Sequence, residues 1–340
     1  MNARLKAVRT DAELECPHLD AGLRARGIEL VLLPDGVAEG ELAREAADAD
    51  VLLMCYTPVT ARVIESASRL RGIVKYGVGI DAIDIDAAKA RRIPVVNVPE
   101  YAERTVAEGA FLLLLALAKK LAPMHEAMRR DGWIWPSAPW LGADVAGKTL
   151  GLVGVGRIGR SMAQMAGAGF GVRVLGYDPH VGAGEMRAAG VEKRDRLHEM
   201  LAESDFVSLH CVLDATTRGL LGEAEFAAMK PGALLVNVSR GALIDEQALL
   251  RALRSGRLGG AGLDVFTNEP LARTGHPLSP LFDMDNVILT PHLTFFTREA
   301  MQRLEEETLQ RCDELLAGGP VRVKSRDPRL TSQRHGVRFD

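Results

Sequence analysis

The sequence predicts an α/β protein built of two doubly wound parallel-sheet domains. Three observations lead there. Short apolar runs alternate with helical stretches from end to end, the pattern of parallel strands joined by crossover helices. The chain has 340 residues, more than a single hydrophobic core usually serves. The runs also fall into two series, separated by a long apolar helix around Ala110–Ala118.

In the first series, strands are expected at Lys6–Val8, Glu29–Leu33, Val51–Met54, Gly72–Lys75 and Pro94–Asn97, with helices over Glu41–Ala49 and Asp84–Arg91. A helix from about Ala102 to Leu121 leads into the second series. Its strands are expected near Thr149–Val153, Val172–Tyr177, Phe206–Leu209, Ala233–Val238, Gly260–Leu263 and Val287–Thr290. The charged stretch Thr297–Leu316 carries Met301, Leu304, Leu309 and Leu316 at helical spacing, and is expected to return the chain to the first domain. That domain would then be discontinuous, residues 1–102 with 295–340, and the second, residues 103–294, would be inserted into it. The tail from Gly318 is polar, basic and punctuated by Gly and Pro, and is expected to be extended or poorly ordered.

Composition narrows the function classes. Lys+Arg number 42 against 45 Asp+Glu, a net charge of −3. No global positive field exists to steer the chain onto phosphates, so no nucleic-acid partner is expected. Cys16, Cys55, Cys211 and Cys312 are far apart with no CxxC pair. This argues for reduced thiols and against a metal knuckle or a disulfide scaffold. The N-terminus has no apolar signal core, and Ala110–Ala118 is about half the length of a membrane span, so a cytoplasmic location without a membrane partner is expected.

The strongest local motif is a glycine loop. An apolar strand, Leu150–Val153, runs into Gly154-Val155-Gly156-Arg157-Ile158-Gly159, and a helix pattern follows. The first glycine permits the tight turn, the second lets the backbone approach a pyrophosphate, and the third lets helix and strand pack closely. The helix N-terminus offers free N–H groups and the positive end of its dipole. The next strand ends at Asp178, 19 residues past Gly159. That is close to the spacing of about 20 for a carboxylate that binds the adenosine ribose. Such a carboxylate repels a 2′-phosphate, so NAD is expected rather than NADP.

Three further segments sit at expected C-terminal strand ends: Asn237-Val-Ser-Arg240-Gly241, Asp264-Val-Phe-Thr-Asn-Glu269-Pro270 and Thr290-Pro-His292. Reduction of a 2-keto acid needs a hydride donor, a cation for the carboxylate and carbonyl, and a proton for the new alkoxide. Arg supplies a planar fork for carboxylates. His exchanges protons near neutral pH, and a neighbouring Glu orients the ring and favours its charged form.

With these motifs and Lys75-Tyr-Gly-Val-Gly-Ile-Asp81 and Val238-Ser-Arg-Gly-Ala-Leu-Ile-Asp245, the chain resembles the D-isomer-specific 2-hydroxyacid dehydrogenases over roughly Val51–Leu316. The resemblance implies a Rossmann NAD-binding domain inserted into a flavodoxin-like substrate domain, with an active-site cleft between them. It implies that Arg240 binds substrate, that His292 is the acid in reduction and the base in oxidation, and that Glu269 is its partner. Val78 and Gly79 would offer backbone N–H groups to the substrate carboxylate. Gly154, Gly156, Arg157, Ile158 and Gly159 would hold the pyrophosphate of NAD and Asp178 the ribose. Cys211 would line the adenine side, and Val238 and Asp264 would lie beside the nicotinamide.

The resemblance also implies a homodimer, with the tryptophans at 133, 135 and 140 near its interface; a buried plug is the alternative for that cluster. Members commonly carry Gly or Ala soon after the catalytic His, whereas His292 here is followed by Leu-Thr-Phe-Phe. A small unphosphorylated acid of the glyoxylate, hydroxypyruvate or pyruvate type is expected, because the loop Gly132–Ala143 has three Trp and no Lys or Arg. The chain is also expected to lack the regulatory domain that many phosphoglycerate dehydrogenases carry. D-3-phosphoglycerate is the alternative substrate, with Lys75 or Arg104 as the cation for its phosphate. A NAD-sensing, corepressor-like binding protein is the alternative of another class. His210 reads as structural.

Overall fold

The computed structural model describes residues 4–339. Five strands, β1 (Lys6–Arg9), β2 (Glu29–Leu32), β3 (Val51–Met54), β4 (Gly72–Lys75) and β5 (Val95–Asn97), form a parallel sheet in the order β2-β1-β3-β4-β5. This is the flavodoxin-like doubly wound order. β3 and β4 are buried at every position, as central parallel strands covered on both faces must be. That is why they read as unbroken apolar runs.

A second parallel sheet comprises β6 (Thr149–Val153), β7 (Arg173–Tyr177), β8 (Glu192–Lys193), β9 (Phe206–Leu209), β10 (Ala233–Asn237), β11 (Leu258–Leu263) and β12 (Val287–Leu289), in the order β12-β11-β10-β9-β6-β7-β8. Read from β8 inward, this is the dinucleotide-binding 3-2-1-4-5-6 order with one strand added. The order reverses between β6 and β9, which marks the carboxyl ends of those strands as the ligand-binding crevice.

The chain divides into two compact units, Met1–Ala102 with Thr297–Asp340, and Glu103–Phe296. In the first, the Thr297 hydroxyl caps the helix Arg298–Leu316 by accepting from the Ala300 N–H at 3.2 Å. That helix buries Met301, Leu304, Leu309 and Leu315. Leu315 lies where a side chain on Gly72 would stand, 2.4 Å from the position of a Cβ, so this glycine is set by packing. In the second unit, Gly260 and Gly262 of β11 leave room in the same way for Leu117 and Leu113 of the helix Glu103–Ala118.

The tail departs from expectation. Val321–Val323 and Val337–Phe339 pair as a parallel ladder, with a helical turn at Pro328–Thr331 between them. Gln333 is buried and anchors the segment on β5: the Val95 N–H donates to Oε1 at 2.7 Å, and Nε2 donates to the Val95 carbonyl at 2.9 Å. One side-chain amide thus stands in for a neighbouring strand at the sheet edge. Lys324 adds ion pairs to Glu100 at 3.1 Å and Glu307 at 2.9 Å. The tryptophan segment is no plug either, since Trp133 is 73% and Trp135 76% exposed. Among the described residues no helix is long and apolar enough to cross a membrane.

Candidate active site

The glycine loop connects β6 to the helix Arg157–Gln164. Gly154 has φ 93° and lies against the His210–Cys211 backbone, where a Cβ would stand 2.6 Å from the Cys211 nitrogen. A Cβ on Gly159 would meet the Gly154 carbonyl at 2.4 Å. These two glycines are required by the protein's own packing. Gly156 is different: its backbone is extended, it is exposed, and a Cβ there would meet nothing within 4 Å. Neither conformation nor packing calls for a glycine at 156, so a bound group pressing on the backbone is what its bare Cα suits. Arg157 and Ile158 are half-buried at the helix start.

The Asp178 carboxylate braces this loop. One oxygen accepts from the Val155 N–H at 2.9 Å and the other from the His180 N–H at 2.9 Å. His210 is half-buried, with Nε2 at 2.9 Å from the Ser208 hydroxyl. Its Nδ1 is shut off from water and unpartnered, and desolvation lowers the ring's pKa to about 3. Burial pushes the Cys211 thiol up to about 12, so a neutral side chain stands beside the loop.

Arg240, Glu269 and His292 all follow strands of the second sheet. Asn237, at the end of β10, accepts from the Ser239 N–H at 3.0 Å and donates to the Arg240 carbonyl at 2.9 Å, which fixes the turn that presents the arginine. At Gly241 the chain crosses the Phe266–Thr267 backbone so closely that a Cβ would fall 2.0 Å from the Phe266 carbonyl carbon. Glu269 accepts from the Phe266 N–H at 2.9 Å, and its second oxygen meets His292 Nδ1 at 2.9 Å. Burial pushes the Glu269 carboxyl upward. The hydrogen bond and charge of His292, with the Phe266 N–H and Arg240, outweigh it and hold the carboxyl below its ordinary range. His292 has φ 57°, a left-handed backbone rare outside glycine.

The buried Asp264 carboxylate accepts from residues on either side of His292. Val238 is buried at the end of β10. Val78 and Gly79 belong to the other unit, in the turn after β4, and the Val78 carbonyl accepts from Asn97 Nδ2 at 2.6 Å. The segments holding Asn237, Gly241 and Thr290 were expected at strand ends, but the roles of Asn97 and Thr294 in these turns were not foreseen. An Asn ending each of two apolar strands was the available signal.

Residues 111–294 match the family described as "D-isomer specific 2-hydroxyacid dehydrogenase, NAD binding domain". The chain is 42% identical over 262 residues to a glyoxylate reductase of Korarchaeum cryptofilum, covering 76% of this chain and 77% of that one. It is 37% identical over 302 residues to a D-3-phosphoglycerate dehydrogenase of Methanocaldococcus jannaschii, covering 88% of this chain and 56% of the relative. The structure of a D-lactate dehydrogenase from Aquifex aeolicus complexed with NAD and lactic acid superposes with a TM-score of 0.82 at 29% identity, covering 92% of this chain and 96% of that one. The protein belongs to the D-isomer-specific 2-hydroxyacid dehydrogenase family, and its second unit carries the family's NAD-binding domain. It spans about half the length of the phosphoglycerate dehydrogenases it matches.

Proposed function

We propose that the protein is a NAD-dependent D-2-hydroxyacid dehydrogenase that interconverts a small unphosphorylated 2-keto acid and its D-2-hydroxy acid. The hydrogen-bonded Glu269–His292 pair, with the Arg240 charge beside it, carries this reading. Glu269 binds Nδ1–H, so Nε2 is the ring atom that gives a proton to the keto oxygen in reduction and takes it back in oxidation. Arg240 binds the carboxylate and polarises the carbonyl. Bound NADH supplies the hydride. Gly154, Gly156, Arg157, Ile158 and Gly159 are assigned to its pyrophosphate and Asp178 to its ribose. Cys211 is assigned to the adenine side and Val238 to the nicotinamide end, where Asp264 acts through the His292 turn. Val78 and Gly79 are assigned to the substrate carboxylate through their N–H groups.

The choice of an unphosphorylated acid rests on the cations. The Lys75 ammonium is buried, donates to the Cys55 carbonyl and lies 3.3 Å from the Cys55 sulfur and 5.5 Å from the Tyr56 ring centre. Arg104 is engaged by Glu108 at 3.2 Å. A phosphate needs several donors, and an apolar rim would desolvate it without compensation. The phosphoglycerate reading keeps support from relatives such as that of Methanocaldococcus jannaschii. An assay of NADH consumption with glyoxylate, hydroxypyruvate, pyruvate and 3-phosphohydroxypyruvate separates them. The highest kcat/KM is expected with an unphosphorylated acid; preference for the phosphorylated one would reverse the choice. NADH binding without turnover of any acid would favour the binding-protein alternative.

A homodimer is part of the reading. The helix Leu121–Asp131 buries only Ala127, and Leu112, Leu121, Trp133, Trp135 and Leu141 are all exposed on the same unit. Exposed apolar groups of this size are characteristic of a protein interface. Sedimentation should give twice the chain mass.

A further inference from the structure

We propose that Asp264, clamped by the Thr290 and Thr294 hydroxyls, is a positioning residue that holds the His292 imidazole in its working orientation. The proposal rests on the reading of His292 as the proton-transfer group.

Asp264 follows β11 directly and is fully buried. A buried carboxylate persists only where donors fill its lone pairs. Here Oδ1 accepts from the Thr290 hydroxyl at 2.6 Å and the Leu293 N–H at 3.0 Å. Oδ2 accepts from the Thr294 hydroxyl at 2.6 Å and the Thr294 N–H at 3.1 Å. All four donors come from the residues that flank His292. The Asp264 carbonyl takes the His292 N–H as well, at 2.8 Å. The whole turn therefore hangs on one residue of the neighbouring strand end.

The turn needs such support. His292 is a non-glycine residue with φ 57°, and Pro291 before it has no N–H to contribute. A left-handed residue persists only where its surroundings over-determine it. The imidazole is half-buried and 2.9 Å from Glu269, so a small rotation of the turn would break that pair. Thr294 is fixed on its other side too. A Cβ on Gly109, within the helix Glu103–Ala118, would stand 2.7 Å from the Thr294 Cβ and 2.8 Å from its Cγ2. The mid-helix glycine makes room for the threonine methyl group while the hydroxyl points at Asp264. The bulky Leu-Thr-Phe-Phe that follows His292 thus contributes a specific donor.

Thr294→Val removes the donor and keeps the shape that fits Gly109, whereas Thr294→Ser keeps the donor. For reduction of the best 2-keto acid, Thr294→Val should lower kcat about tenfold, as for one lost charge-assisted hydrogen bond, with KM for NADH unchanged. Thr294→Ser should recover most of kcat. Asp264→Asn, which places an amide group among four donors, should lose more. Amide exchange at Leu293 should accelerate in Thr294→Val. A purely structural role would lower thermal stability without splitting kcat from KM. Wild-type kcat in Thr294→Val, or a Thr294→Ser enzyme as slow as Thr294→Val, overturns the proposal. If the wild type reduces no 2-keto acid, the functional reading fails, and exchange decides the clamp separately: an equally slow Leu293 amide in Thr294→Val and wild type would overturn it.

Discussion

Glu269 stays ionised through the neutral range because His292, Phe266 and Arg240 together outweigh its burial. An ionised partner stabilises the charged ring, both as the form that gives a proton in reduction and as the form produced when the ring takes one in oxidation. Glu269→Gln should therefore move the acidic limb of the kcat/KM profile for hydroxy-acid oxidation to lower pH, measured against wild type in the same buffers. Arg240→Lys should cost about 1.5–3 kcal/mol of transition-state binding, because a point charge cannot reproduce the planar fork. Its kcat/KM for reduction reports this directly. Asp178→Ala should narrow the gap between NADH and NADPH, read as the ratio of their kcat/KM values. A native preference for NADPH would show that this carboxylate does not select the cofactor.

At the scale of elements, two glycines separate a ligand's demand from the fold's. Gly156→Ala adds a methyl group where nothing lies within 4 Å, so thermal stability should hold while NADH affinity falls. Gly241→Ala drives a methyl into the Phe266–Thr267 backbone and should destabilise the protein by about 1–3 kcal/mol or more in urea unfolding. The sequence showed the loop plainly, because strand, glycines, helix and Asp178 follow one another at short spacing. The central strands β3, β4, β6 and β9 were equally legible, since burial on both faces demands continuous apolar runs. The edge strand β8 was not: it is two residues, Glu192 and Lys193, with no core face to declare. The β13–β14 ladder was hidden for a similar reason, its strands being Val321–Val323 and Val337–Phe339 with an arginine in each. The crossing at Gly241 and the donors gathered on Asp264 join segments far apart in sequence, and no local spacing encodes them.

At the scale of the whole molecule, the perturbed groups set a direction for acid sensitivity. His210 is held neutral with a pKa of about 3, against 6.5 for a free histidine. The unfolded chain therefore binds a proton on His210 between pH 6.5 and 3 that the folded chain refuses. Stability is full above that window and falls as the pH drops through it, by about 2 kcal/mol at pH 5. Asp11 acts in the same direction. Burial raises its carboxyl, but the Thr10 and Thr57 hydroxyls and the Cys55 and Tyr56 N–H groups bring it below its usual range, so its contribution is lost on further acidification. His210→Gln should flatten the change in urea midpoint between pH 7 and pH 5. If the Glu269–His292 pair transfers the substrate's proton, turnover depends on the imidazole. The most direct measurement is turnover of NADH with the best 2-keto acid by wild type and His292→Ala, alongside NADH binding by fluorescence. His292→Ala should bind NADH as wild type does and lose about 10²–10⁴-fold in kcat. A His292→Ala protein that turns over at the wild-type rate would contradict this role of His292.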